Sequence, residues 1–134
     1  MHVLFCSSEV FPFSKTGGLA DMAAFLPKAI REKGFTSDIV SPYYQNLTSK
    51  HHEMDYVGTK TIIMAGSEKI VHYFSLIQDG QRYIFIQNQA YFERHHFYGY
   101  VDDAARFTLF SFAVLELISL LEVKPVLLHL NDWQ

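Results

Sequence analysis

The chain is short of several things, and each shortage removes a class of protein. One cysteine, Cys6, in 134 residues leaves no internal disulfide framework and fits a reducing cytoplasm. Neither sign of charge dominates: a formal net charge of -3 gives no electrostatic reason to bind nucleic acid. No long apolar run is present either. The longest tract, Phe107 to Leu121, is interrupted by Glu116 and falls short of a membrane span. His2 to Cys6 is too short for the apolar core of a leader peptide and runs straight into turn and charged residues. A soluble cytoplasmic protein with no membrane partner is expected. Metal-ligand spacing is also lacking. Adjacent residues of an extended chain, as in His51-His52-Glu53 and His95-His96, point to opposite sides, so no bound metal is expected.

What the chain does have is core-forming residues. Hydrophobic residues make up 49% and aromatics 16%, which excludes a disordered chain and gives one domain or a piece of one. Val3 to Cys6 reads as a parallel strand covered on both faces. Leu19, Met22, Ala23, Leu26 and Ile30 recur at helical spacing, with Gly34 as the stop and a bend expected at Pro27. Thr36 to Val40 gives a second strand, and strand, crossover helix and strand imply a right-handed parallel connection.

The middle of the chain is β-rich. Tyr56 to Met64, Lys69 to Ile77 and Arg82 to Gln87 have strand composition, and Asp79-Gly80 is a hairpin turn. This predicts an antiparallel insertion between two α/β units. Gln89 to Tyr100 lacks periodicity and reads as a long surface loop, whose Tyr91, Phe92, Tyr98 and Tyr100 either stack on sugar rings or anchor the loop. Asp102 or Asp103 is the expected N-cap of a last helix that is apolar nearly all round and hence buried. Pro125 ends it. Val126 to Leu130 reads as a buried strand in which His129 is a structural, hydrogen-bonded histidine. Asn131-Asp132-Trp133-Gln134 then stands at a strand's carboxyl end, where open α/β sheets bind ligands.

The stretch that organises the rest runs from Glu9 to Asp21, between the first strand and the first helix. Gly17 and Gly18 can turn backbone N–H groups toward a ligand, the helix N-terminus adds partial positive charge, and Lys15 supplies a full one. The residues therefore describe a seat for a phosphate or diphosphate. The plainer reading is a tight turn in which left-handed geometry alone accounts for Gly-Gly.

From Leu4 to Asp21 the sequence closely resembles the opening of bacterial glycogen synthases and plant starch synthases, the ADP-glucose-type glucosyltransferases. Leu26-Pro27-Lys28-Ala29, Ile86 to Arg94, Asp103 to Phe107 and His129 to Gln134 continue the likeness in order, from end to end of the chain. The resemblance implies the GT-B fold, two Rossmann-like domains facing across a cleft. This chain would be the incomplete N-terminal, acceptor-side domain: an α/β, Rossmann-like parallel sheet with a β-hairpin insertion, lacking the C-terminal nucleotide-binding domain. The implied reaction moves glucose from ADP-glucose or UDP-glucose to the non-reducing end of an α-1,4-glucan, with retention and without a metal or other cofactor. By the same likeness Lys15 contacts the donor phosphates, and the Gly17 and Gly18 amides stabilise the leaving diphosphate. Glu9 lines the acceptor side, Asp21 holds the loop or a sugar hydroxyl, and Asp132 and Trp133 contact sugar. Gln134 stands where many members carry histidine near the transferred glucose. A glutamine amide can hydrogen-bond a hydroxyl but cannot hold a positive charge.

Two other classes compete. A dinucleotide-binding oxidoreductase fits the β–α–β length, with Asp38 about 20 residues after the glycines, but G-x-G-x-x-G is absent and Asp38 is not at its strand's end. A non-catalytic nucleotide- or glucan-binding module fits the chain as it stands, because the resemblance implies that a second domain, as in the family, supplies most nucleotide contacts. The isolated chain is therefore expected to be inactive. Its uncovered last strand and apolar helix predict a homo-oligomer.

Overall fold

The computed structural model of the chain describes residues 1–44 and 53–134, so His51 and His52 lie outside the described residues. The first strand, β1 (His2–Cys6), is buried along its whole length because it has a parallel neighbour on each side. Its side chains alternate between two cores. Val3 and Phe5 face the cluster under the first helix, α1 (Gly18–Glu32), while Leu4 and Cys6 face the cluster on the opposite side of the sheet. The helix α1 continues through Pro27, which is buried. It ends at Gly34, where φ is +87° and the amide donates to the Arg31 carbonyl at 2.9 Å. The parallel strand β2 (Thr36–Pro42) follows as expected.

The hairpin β3 (Asp55–Met64) and β4 (Ser67–Gln78) leads into β5 (Gln81–Gln87) through Asp79 and Gly80, both at positive φ as a two-residue hairpin turn requires. The β-rich middle is not a separate layer. β5 pairs antiparallel with β4 and parallel with β2, so a single six-stranded sheet runs β3-β4-β5-β2-β1-β6.

Gln89 to Tyr100 is not a plain surface loop. It opens with a short helix, α2 (Gln89–Phe92), capped by the Asn88 side chain, and Phe92 is fully buried. Two arginines pin the remainder. Arg94 makes two 2.6 Å bonds to the Asp102 carboxylate. Arg106, wholly inaccessible to solvent, donates to the Tyr91 and Phe97 carbonyls and to Asp103, with the Tyr100 and Phe107 rings about its guanidinium. These pairs explain why neither acid caps the following helix, α3 (Asp103–Leu117), by a side-chain bond: both carboxylates are engaged elsewhere. The arginine bonds hold Asp102 and, against some burial, Asp103 below the ordinary carboxylate range.

α3 packs Phe107, Phe110, Val114 and Leu117 on the sheet, but Phe112 and Leu115 stay exposed, so it is only half-buried. After a 3₁₀ turn, Ile118–Leu120, the chain forms β6 (Leu127–Leu130) beside β1. β6 is also not buried. It is an edge strand, and with no strand beyond it and no helix over its outer face, Leu127 and Leu130 remain exposed among the described residues. Also among the described residues, no helix is long and apolar enough to cross a membrane.

Candidate functional site

From β1 the chain passes through α1 to β2 on one side, and it reaches β6 on the other side through α3. The carboxyl ends of β1 and β6 thus flank the point where the winding of the sheet reverses, which is where such sheets open a ligand crevice. The segments that leave those two ends are residues 7–17 and residues 131–134.

The first segment is built from its own backbone. Phe13 and Ser14 amides donate to the Val10 carbonyl at 2.9 Å, the Val10 amide donates to Ser14 Oγ, and the Phe11 amide reaches the Ala20 carbonyl on α1. Beneath the loop lies Glu9, buried at 3% exposure. Its Oε2 accepts from the Thr16 amide at 2.5 Å, and its Oε1 accepts from Thr16 Oγ1 at 2.6 Å and the Tyr98 hydroxyl at 2.7 Å. Tyr98 also shares a hydrogen bond with Ser8. Burial raises the Tyr98 phenol above its ordinary value; Ser8 pulls it back, and the Glu9 and Asp132 carboxylates push it further up. Tyr98→Phe is expected to cost about 1–3 kcal/mol, the usual effect of stripping one bond from a buried charged acceptor. Chemical unfolding of the two forms reads it directly.

On the outer side of the loop, Lys15 Nζ sits 2.7 and 2.6 Å from the two oxygens of Asp21, in the first turn of α1. Both side chains are over two-fifths exposed. Gly17 and Gly18 are exposed, and among the described residues no group accepts from their amides. The left-handed-turn account of this glycine pair does not hold. Gly17 is extended at φ -155°, neither residue has positive φ, and a Cβ built on either meets nothing within 4 Å. Nothing inside the described chain demands glycine there. What glycine leaves is open space above two unpaired donors at a helix N-terminus.

The second segment follows β6. Asn131 is buried and ties the strand ends together, its amide and side chain both donating to the Cys6 carbonyl. Asp132 takes φ +61°, tolerated by aspartate, and its carboxylate accepts from the Trp133 amide. Trp133 is exposed, with its ring edge-on to Phe107 at 5.5 Å; Phe107 in turn touches Tyr98. Gln134 closes a cleft of about 220 Å³ with Asn131, Asp132 and Trp133, and its Oε1 is shielded without a partner among the described residues. His129 does not match its expected hydrogen-bonded role at Nδ1, which is buried and unpartnered; the ring instead packs on Phe5.

Lys15 with Asp21 and the open Gly17 and Gly18 thus lie on the segment that leaves β1, Asp132–Gln134 on the segment that leaves β6, and contacts from Thr16 through Glu9, Tyr98 and Phe107 to Trp133 link the two. Glu9 sits under the first of these segments rather than on it. Of the four loop aromatics, Phe92 is core, Tyr98 braces Glu9, and Tyr100 stacks on Arg94 and Arg106. Sequence reasoning assigned no role to Thr16 or Arg106. An arginine inside the apolar stripe of α3 was the available signal for Arg106. Asp38 lies early in β2, beside His2 and Arg82, far along the strand from the carboxyl end that a ribose-binding acid needs. Burial raises its carboxyl, against the lowering pull of both neighbours. Among the described residues no group of three or more His, Cys, Asp and Glu converges.

Comparison with known proteins gives a consistent result. A family model described as the starch synthase catalytic domain matches residues 2–134. A glycogen synthase of Acholeplasma laidlawii is 54% identical over all of this chain and 28% of its own length. A glycogen synthase of Halalkalibacterium halodurans is 37% identical, again over all of this chain and 28% of its own. The solved catalytic domain of Starch Synthase IV from Arabidopsis thaliana, bound to ADP and acarbose, superposes with a TM-score of 0.88 at 31% identity, over 98% of this chain and 28% of that one. The chain thus spans just over a quarter of the length of these relatives. The chain belongs to the starch synthase catalytic domain family.

Proposed function

We propose that this chain is the acceptor-side part of an ADP-glucose-dependent glucosyltransferase, which passes glucose with retention to the non-reducing end of an α-1,4-glucan. The observation that carries this is the pair of open, uncapped amides at Gly17 and Gly18 beside the ammonium of Lys15. Donors fixed in advance where a diphosphate gathers charge supply more of the rate enhancement than any other single effect in most such reactions. Lys15 binds the donor phosphates, and Asp21 aims it until they arrive. Glu9 acts from beneath, holding the loop's shape through Thr16 and Tyr98. Asp132, Trp133 and Gln134 meet the sugar, with the Gln134 amide oxygen accepting from a hydroxyl. The relative bound to ADP and acarbose favours the adenine nucleotide and an α-linked sugar chain.

A glucan- or nucleotide-binding module remains the reading for the chain taken by itself, since the residues beyond this quarter of the relatives' length would supply the facing wall. Residues 1–134 alone are expected to bind ADP weakly and to turn over no ADP-glucose. Turnover by the isolated chain would overturn the division of labour. The exposed Leu127, Leu130, Phe112 and Leu115 support self-association of that isolated chain, and a monomeric sedimentation profile would count against it.

A further inference from the structure

Arg106 carries a full charge near the start of α3 with none of its surface exposed. Burying a charge is costly unless every part of it is matched, and a well-packed apolar residue in such a place is often at least as stable. The matching here is incomplete. Nε donates to the Tyr91 carbonyl at 2.6 Å, and Nη1 donates to the Phe97 carbonyl at 2.9 Å and to Asp103 Oδ1 at 2.7 Å. Nη2 is buried with no hydrogen-bond partner among the described residues. The Tyr100, Phe107 and Phe92 ring centroids stand 5.0, 5.2 and 5.9 Å from the guanidinium carbon. Core stability alone is a poor reason to keep this group. What an arginine supplies and an apolar residue does not is a planar fork that holds several oxygens at fixed positions.

Two of those oxygens belong to residues 91–97, a stretch in which regular structure stops at Phe92. The fork therefore ties both ends of it to α3. The Phe97 carbonyl is the nearer to the reaction, since the next residue is Tyr98, whose hydroxyl donates to Glu9 Oε1 at 2.7 Å. The same oxygen accepts from Thr16 Oγ1 at 2.6 Å, and Glu9 Oε2 accepts from the Thr16 amide at 2.5 Å. Thr16 stands between Lys15 and Gly17. A continuous line of contacts thus runs from the guanidinium through Phe97, Tyr98, Glu9 and Thr16 to the phosphate loop. Phe97 is also packed edge-on against the buried Tyr44 ring, with centroids 4.8 Å apart. Burial raises the Tyr44 phenol, with Tyr98 adding to the rise, Arg106 opposing it, and Glu9 and Asp103 adding further. That ring therefore lies within electrostatic reach of both Arg106 and Glu9.

We propose that Arg106 is a positioning residue for the transfer: its hold on the Phe97 carbonyl sets where Tyr98 meets Glu9, and so where Lys15 and the Gly17 amide point. Sealed from solvent, Arg106 does not itself reach a substrate. The proposal rests on the glucosyl-transfer reading and adds to it the group that keeps the loop in its working shape. A small displacement suffices, because a shift of about 1 Å caused from a distance lowers rates by about 10²-fold.

The test is steady-state transfer from ADP-glucose to glycogen by the full-length protein, each variant first shown by a cooperative thermal melt to be folded at the assay temperature. Arg106→Lys keeps the charge and loses the fork. It is expected to lower kcat by about 10²-fold with much less change in KM for ADP-glucose, since the loop acts on charge that develops as the diphosphate leaves. Tyr98→Phe breaks the same line farther along. Acting in series, Arg106→Lys combined with Tyr98→Phe is no slower than the slower single variant, whereas independent faults multiply. Asp103→Asn loosens the fork without removing it. It is expected to give a smaller loss of kcat that likewise does not multiply with Tyr98→Phe, and it decides the matter where Arg106→Lys does not fold. A folded Arg106→Lys or Asp103→Asn with wild-type kcat would overturn the proposal. So would losses that multiply, which would leave Arg106 a structural residue independent of Tyr98. A wild type that transfers no glucose from ADP-glucose would remove the glucosyl-transfer reading, and the proposal with it.

Discussion

Lys15→Ala in the full-length protein is expected to lower kcat/KM for ADP-glucose by about 10²–10³-fold, the range seen when one preorganised transition-state donor is removed. Most of the loss belongs in kcat. The donor's phosphates are already charged in the ground state, but further negative charge develops on the diphosphate as the glycosidic bond breaks, so the ammonium acts more strongly on departure than on binding. The Lys15–Asp21 pair does not stand in the way. Both partners are over two-fifths exposed, and exposed pairs of this kind contribute roughly 0.2–1 kcal/mol, so a doubly charged ligand displaces the carboxylate readily. Steady-state kinetics on the purified variant measures the effect; an unchanged kcat/KM would remove Lys15 from the mechanism.

Gly17→Ala tests the phosphate-seat account of the glycine pair, because stability and activity are expected to move differently. The residue is extended and the added Cβ has open space, so the stability cost should stay within about 1 kcal/mol, the difference between glycine and alanine at a helix N-cap. If Gly17 seats a phosphate as proposed, that methyl group stands where a phosphate oxygen approaches the amide, and turnover is expected to fall at least about tenfold, equivalent to roughly 1.4 kcal/mol of transition-state stabilisation. A tight-turn role predicts the reverse: a clear drop in Tm with activity per folded molecule preserved. Thermal melts and kinetics on one preparation distinguish the two.

The parts of the fold that follow local chemistry were readable from residues. The apolar run at Val3–Cys6, the helical spacing from Leu19 to Ile30, the stop at Gly34 and the Asp79-Gly80 turn each depend on a few neighbours in sequence, and each appears where expected. What was not readable depends on distant partners. Whether Asp102 caps a helix or binds Arg94 is decided by a residue eight positions away that competes for the same oxygens. Gln89 to Tyr100 has no periodicity because its order comes from arginine clamps and from Phe92 in the core rather than from repeating packing. The apolar character of α3 and β6 signalled burial, yet Phe112, Leu115 and Leu130 are exposed, since composition reports that a surface is meant to be covered without saying by which element. In the candidate site, the Lys15 and Gly17-Gly18 loop could be located from its spacing. The bracing of Glu9 by Tyr98 could not, because 89 positions separate the two.

The central claim is that Gly17 and Gly18 present free amides to a diphosphate held by Lys15. Nitrogen-15 chemical-shift mapping of the chain during titration with ADP reads those amides individually. The account predicts that the largest shifts fall on Gly17, Gly18 and Lys15, and that they shrink markedly in Lys15→Ala. Shifts of equal size spread over the surface, or centred elsewhere while the Gly17 and Gly18 signals stay still, would contradict it.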